Sequence, residues 1–108
     1  MGQQSGSVVV LVTAPTAEKA AEIARVVVEE RLAACVNVVP ALRSIYRWEG
    51  KVQDDAEALM VVKTQARTFE RLRARIVSLH PYRCPEVLAL PVVAGHAPYL
   101  EWLAGAVE

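Results

Sequence analysis

Apolar residues run without a break from Val8 to Val12, mostly β-branched, the pattern of a strand covered on both sides. Pro15 and Thr16 then punctuate the chain. Thr16 is placed to cap a helix, with Glu18 in its first turn. Beyond it Glu18, Glu22, Arg25 and Glu29 recur at i, i+4, i+7 and i+11, one polar stripe of a helix. Ala20, Ile23, Ala24, Val27, Val28 and Leu32 supply the packed side, so the spacing predicts a helix from Ala17 to about Ala33. A long strand signal follows from Cys35 to Trp48, interrupted at Pro40, which has no N–H for a ladder and so marks a bulge, a bend or an edge. Val36, Val38, Leu42, Tyr46 and Trp48 share one parity and are expected on one face. Glu49 and Gly50 turn the chain, and Lys51 to Thr64 returns, ending in the apolar run Ala58–Val62.

Phe69, Leu72, Ile76 and Leu79 then recur at helical spacing, predicting a helix from about Arg67 to Leu79 that Pro81 stops. A loop at 80–86 leads to a fourth strand, Val87–Val93, where Pro91 argues for an edge or a bend. Gly95 and Pro98 introduce a last helix, Tyr99–Val107. The order β-α-β-β-α-β plus a C-terminal helix is the α+β, ferredoxin-like split-βαβ plan: one antiparallel sheet with two helices on one face. Residues 1–7 read as a disordered polar tail and 8–108 as one domain.

Composition changes this picture in one respect. Hydrophobic residues make up 54% of the 108, an excess that is aliphatic because aromatics are only 6%. Average usage is roughly 45–50% with Gly included. A chain this short buries only about two-thirds of its surface, so the excess calls for a subunit interface. Two arms of about a dozen residues would reach ~40 Å at ~3.3 Å per residue, past what two short helices cover, which puts the tip against another subunit. Tyr46, Trp48, Glu49 and Gly50 are the residues expected to grip there, since Tyr and Trp join a large apolar area to a polar handle.

Charge chiefly excludes. Twelve basic and 12 acidic residues give a net charge of zero, no footprint for nucleic-acid binding. Arg67, Arg71 and Arg75 form a helical stripe that reads as a solvated face. No segment approaches the ~20 apolar residues of a membrane span. Met1–Ser7 lacks the charged start and apolar stretch of a secretory signal, and Gly6 stands where a myristoylation motif requires Ser or Thr. The expected compartment is the cytoplasm. Cys35 and Cys84, far apart, read as reduced thiols packed as small hydrophobes.

A series of ordered segments resembles the CutA family of divalent-cation tolerance proteins. They are Val10–Pro15, Glu30–Asn37, Ser44–Lys51, Val62–Thr64, His80-Pro81-Tyr82 with Pro85-Glu86, Leu90-Pro91 and Tyr99–Leu103. The resemblance covers Val8 to about Leu103. It implies a homotrimer of ferredoxin-like subunits whose hairpin strands pair between neighbours, similar in fold and assembly to the PII signalling proteins. It implies copper, or another divalent cation, as the bound ion, and no established reaction. Members with an assigned copper site carry a Cys just before Thr-Ala-Pro and a His-His-Pro-Tyr run. This chain has Val12 and Leu79-His80-Pro81-Tyr82 there, so of that set only His80 carries over.

Three kinds of site are then open. A metal set of His80, Cys84 and Glu86 joins imidazole, thiolate and carboxylate, donors that suit copper or zinc. The prolines at 81 and 85 deny it a regular helix, and the blander reading has His80 hydrogen-bonding across the helix end with Cys84 packed. A ligand cleft of Arg47, Trp48, Lys63 and Tyr82, with Glu86, would take a small anion or metabolite between subunits, in PII-like sensing. A purely structural trimeric scaffold is the competing reading. An acid–base site of His80, Tyr82 and Glu86 has no nucleophile signature or phosphate-cradling loop beside it, and Asp54 and Asp55 face opposite sides of a strand. No catalytic residue is assigned, and the chain reads as a non-enzyme.

Overall fold

Thr16 does what its position suggests: its hydroxyl accepts the Lys19 N–H at 3.0 Å and opens the first helix. In the computed structural model, residues 6–108 are described. They form β1 (Ser7–Ala14), α1 (Ala17–Glu29), β2 (Cys35–Trp48), β3 (Lys51–Gln65), α2 (Phe69–Leu79), β4 (Leu88–Pro91) and α3 (Ala97–Ala106). A single turn of 3-10 helix, Ala66–Thr68, leads into α2. The four strands make one antiparallel sheet in the order β2-β3-β1-β4. Residues 1–5 of the expected tail lie outside the described residues. Ser7 opens β1, and the Gly6 carbonyl accepts the Ala66 N–H at 2.8 Å, so both belong to the fold.

The core lies between one sheet face and α1 and α2. Val10, Val12, Ala58, Met60 and Val62 on the strands and Val27, Leu72 and Ile76 on the helices are fully buried. Each of these Val, Leu, Ile and Met side chains contributes about 1.5–3 kcal/mol relative to exposure. The opposite face carries Val9, Leu11, Leu59 and Val61 half-buried, with Val39, Leu88 and Leu90 exposed. Of the remaining elements, α3 packs on β1 and β3 and buries Leu103 outside the core under α1 and α2.

The structure corrects four expectations. First, α1 ends at Glu29, four residues before Ala33. Arg31 takes the left-handed conformation (φ 61°), its N–H donates to Val28 O at 3.0 Å, and the Leu32 N–H donates to Val27 O at 2.9 Å. That is a Schellman stop with Arg in the place usually held by Gly. Second, β4 is only Leu88–Pro91. Pro91 has no N–H to give, although Val92 N still reaches Ser7 O at 3.0 Å. Third, Cys84 is exposed and Cys35 half-buried, so neither is a packed core residue.

The fourth correction concerns Pro40. The β2–β3 register shifts between Val39 and Leu42, a bulge where the proline sits. One extra residue reverses parity. Val36 and Val38 lie opposite Val62 and Met60 and pack on the helix-side core. Leu42, Tyr46 and Trp48 lie opposite Glu57, Gln53 and Lys51, and so face the other way.

The basic stripe, which starts at Arg67 in the 3-10 turn and continues on α2, is put to use within the chain. Arg67 donates to the Val107 and Ala104 carbonyls at 3.0 and 3.3 Å, Arg71 donates to Glu108 O at 3.4 Å, and Arg75 pairs with Glu30 at 2.9 Å. Arg67 and Arg71 therefore hold the end of α3 and the residues after it against the start of α2.

Candidate functional site

β1 pairs with β3 only as far as Ala14 opposite Ala58. Beyond that point, from Leu42↔Glu57 to Trp48↔Lys51, the hairpin is a two-stranded ribbon. Its turn has Glu49 at φ 50° and Gly50 at φ 78°, the two left-handed residues of a type I′ turn, whose twist suits a hairpin. The sheet face away from the helices continues along the ribbon and carries Tyr46, Trp48, Asp55 and Glu57. Tyr46 donates its hydroxyl to Asp55 Oδ2.

The 80–86 loop closes over the base of this ribbon. His80 ends α2, its N–H donating to Ile76 O at 2.9 Å, and Pro81 prevents continuation. His80 is 8% exposed, with Nε2 at 2.7 Å from the Thr13 carbonyl and Nδ1 accepting the Tyr82 N–H at 3.1 Å. Nδ1 must therefore be the acceptor and Nε2–H the donor. Both imidazole nitrogens are spent inside the chain. Tyr82 packs on the ring, centroids 4.7 Å apart, and donates its hydroxyl to Glu57 Oε2 at 2.6 Å.

Ribbon and loop enclose an open cleft of about 1030 Å³. Four carboxylates, Glu49, Asp55, Glu57 and Glu86, line it against one guanidinium, Arg83. Burial first, then the Glu57 carboxylate, pushes the Tyr82 hydroxyl well above its ordinary range. Tyr46 is raised too, mainly by its bond to Asp55. Both therefore remain hydrogen-bond donors at neutral pH. Across the ribbon, the Arg43 guanidinium holds Asp54 below the usual carboxylate range, with atoms 2.8 Å apart.

Sequence reasoning and structure can now be matched residue by residue. Trp48, Glu49, Tyr46, Tyr82, Cys84 and Glu86 come together around the cleft. His80 is not part of its lining and packs behind Tyr82. Arg47, opposite Val52, is on the helix-side face of the ribbon. Lys63 donates to Asn37 near Cys35, far along β3 from the cleft. Gly50 stays at the tip. Val12 is core and Leu79 packs against it, so neither position offers a donor. Among the described residues, no group of three or more His, Cys, Asp or Glu side chains converges to hold a metal ion. Asp55 and Glu57 were missed as a pair, although their i, i+2 spacing on a strand puts them on one face.

The sheet order, the two helices on one face and the overhanging ribbon define a ferredoxin-like α+β fold. The chain belongs to the CutA1 divalent ion tolerance protein family, whose pattern matches residues 8–106. It is 55% identical over 95 residues to the divalent-cation tolerance protein CutA of Thermus thermophilus, covering 88% of this chain and 92% of that protein. It is 49% identical to human Protein CutA over 108 residues, 99% of this chain and 60% of the human one. The solved divalent cation tolerance protein from Thermus thermophilus superposes with a TM-score of 0.92 at 51% identity, over 94% of this chain and 99% of that one. CutA from Xylella fastidiosa superposes with the same score at 38% identity, over 95% and 99%. The Thermus thermophilus proteins are named for divalent-cation tolerance, the human and Xylella ones simply CutA. Among the described residues no helix is long and apolar enough to cross a membrane.

Proposed function

We propose that the chain is the subunit of a cytoplasmic homotrimer that binds divalent cations, copper foremost, and so contributes to tolerance of them. The observation that carries this is the match to the CutA1 family over residues 8–106. Assembly is supported by the exposed apolar side chains Val39, Leu88 and Leu90 on the sheet and by the exposed ribbon with Tyr46 and Trp48, since apolar patches of this kind mark protein–protein contacts. Cation binding is supported by the excess of carboxylates around the cleft and by the exposed Cys84 thiol beside Glu86. Thiolate and carboxylate from one subunit are too few for a tight copper site, so further donors come from a neighbour. His80 joins only if Nδ1 gives up the Tyr82 N–H.

Native mass spectrometry of the metal-stripped chain, titrated with copper under reducing conditions, tests both parts. Expected are a trimer and one copper per subunit, tighter than about micromolar, or about 8 kcal/mol. Cys84→Ser is expected to lose the ion while His80→Ala keeps it. Non-saturating uptake, equal in wild type and Cys84→Ser, removes the metal role. A monomer at micromolar concentration removes the assembly.

A second reading, small-molecule sensing in the cleft, is favoured by its size. About 1030 Å³ is room for an organic ligand rather than an ion.

A further inference from the structure

We propose that the cleft between ribbon and loop binds an organic cation, a short aliphatic diamine, through the carboxylates of Asp55 and Glu57 and the rings of Tyr46, Trp48 and Tyr82. This inference rests on the second reading above, that the cleft takes a ligand, and not on the metal reading.

Asp55 and Glu57 are two residues apart on one face of β3, which sets them about 6–7 Å from each other. Each accepts one tyrosine hydroxyl, Tyr46 on Asp55 Oδ2 and Tyr82 on Glu57 Oε2. Among the described residues neither carboxylate has a cationic partner. The ion pairs join Lys19 to Glu22, Arg43 to Asp54, Arg73 to Glu70 and Arg75 to Glu30, and none of these residues lines the cleft. Glu57 is only 9% exposed. A carboxylate that far from water, held by a single neutral donor and beside a second negative charge, is costly until a positive charge meets it.

The surroundings select the kind of positive charge. A bare divalent ion requires several donors converging on one point, and here two carboxylates stand apart between aromatic walls. Two ammonium groups on a short aliphatic chain match that separation. Their methylenes would lie against Trp48, and the tyrosine and tryptophan faces attract the ammonium ends. Each tyrosine hydroxyl takes one carboxylate oxygen and leaves the other to a ligand. Arg83 is the only cation among the lining residues, outnumbered by carboxylates, so the cleft repels small anions more than it draws them.

Isothermal titration calorimetry on the full chain, metal-stripped, with chelator present and ionic strength fixed, tests this with four probes: 1,4-diaminobutane, butylamine, butanediol and succinate. The diamine is expected to bind at one site per subunit, about tenfold tighter than butylamine, with no heat from the diol or the diacid. Glu57→Gln and Asp55→Asn are each expected to weaken the diamine by about tenfold or more, as loss of a charge-assisted hydrogen bond implies. Two variants guard against one that misfolds, with circular dichroism checking both. Binding of succinate but not of the diamine overturns the cation assignment and leaves the cleft as a ligand site. No heat from any probe overturns both. A wild type that ignores the diamine, with Glu57→Gln weakening assembly, means that a basic side chain of a second copy holds this place, and also overturns the proposal.

Discussion

β3 passes through two regions that share one hydrogen-bond ladder and little else. Along Ala58–Val62 its helix-side residues Ala58, Met60 and Val62 are fully buried. Along Lys51–Ala56 the same face carries Val52, 67% exposed, opposite a solvated Arg47. The cause is reach: β1 stops at Ala14, and no helix covers the ribbon beyond it. An isolated two-stranded ribbon is at best marginally stable in water. Here the turn, cross-strand pairs such as Arg43–Asp54 and Tyr46–Asp55, and the Tyr82–Glu57 bond hold it in shape. The base of the sheet is stabilised by what it buries within the chain. The ribbon leaves its large side chains, Tyr46 and Trp48, exposed.

Truncations at the two ends should therefore differ in kind. Met60→Ala is expected to cost about 2–5 kcal/mol, the range for deleting a buried Met side chain and leaving a cavity. Trp48→Ala should leave the chain's own fold within about 0.5 kcal/mol and instead raise the protein concentration at which the proposed trimer dissociates. Denaturant unfolding at fixed concentration reads the first, and light scattering across a dilution series reads the second. Equal unfolding costs at both positions would erase the distinction.

At the tip, Gly50→Ala meets no atom within 4 Å but must hold φ 78°. It is expected to cost about 1 kcal/mol through backbone strain alone. The ribbon would loosen and the core would not, visible as faster amide exchange confined to residues 45–54.

The smallest effect links the two regions through Tyr82. Its folded-state pKa is raised, so the neutral phenol is favoured in the folded chain. Its contribution is complete below the unfolded value of about 10 and is lost as pH rises from there through the higher folded value. Thermal stability of wild type should thus fall more steeply above pH 10 than that of Tyr82→Phe. Parallel curves would mean that Glu57 and burial do not hold this proton.

Much of the architecture was legible because local chemistry sets it. Thr16 as a cap, Glu49-Gly50 as the turn, Pro81 as the end of α2 and Pro40 as the break in β2 each follow from a backbone preference that acts over a few residues. The end of α1 was not legible, because Arg31 adopts a conformation its residue type rarely takes. β4 was read too long because apolar character continues past the last residue the edge can pair. The cleft was legible in part: Trp48, Tyr82, Cys84 and Glu86 reach it, whereas Arg47 and Lys63 were assigned to it without knowledge of which face they take.

By itself, then, the sequence determined the order and kind of the elements, the family, and the surplus of apolar surface, since periodicity and turn chemistry are properties of short stretches. Only the tertiary structure decided the faces beyond the Pro40 bulge, where one extra residue turns Tyr46 and Trp48 away from Val36 and Val38. It also decided the use of His80, whose two nitrogens meet Thr13 and Tyr82, and the pairing of Tyr82 with Glu57. Those contacts depend on register and on segments distant along the chain arriving at the same place, which no local pattern encodes.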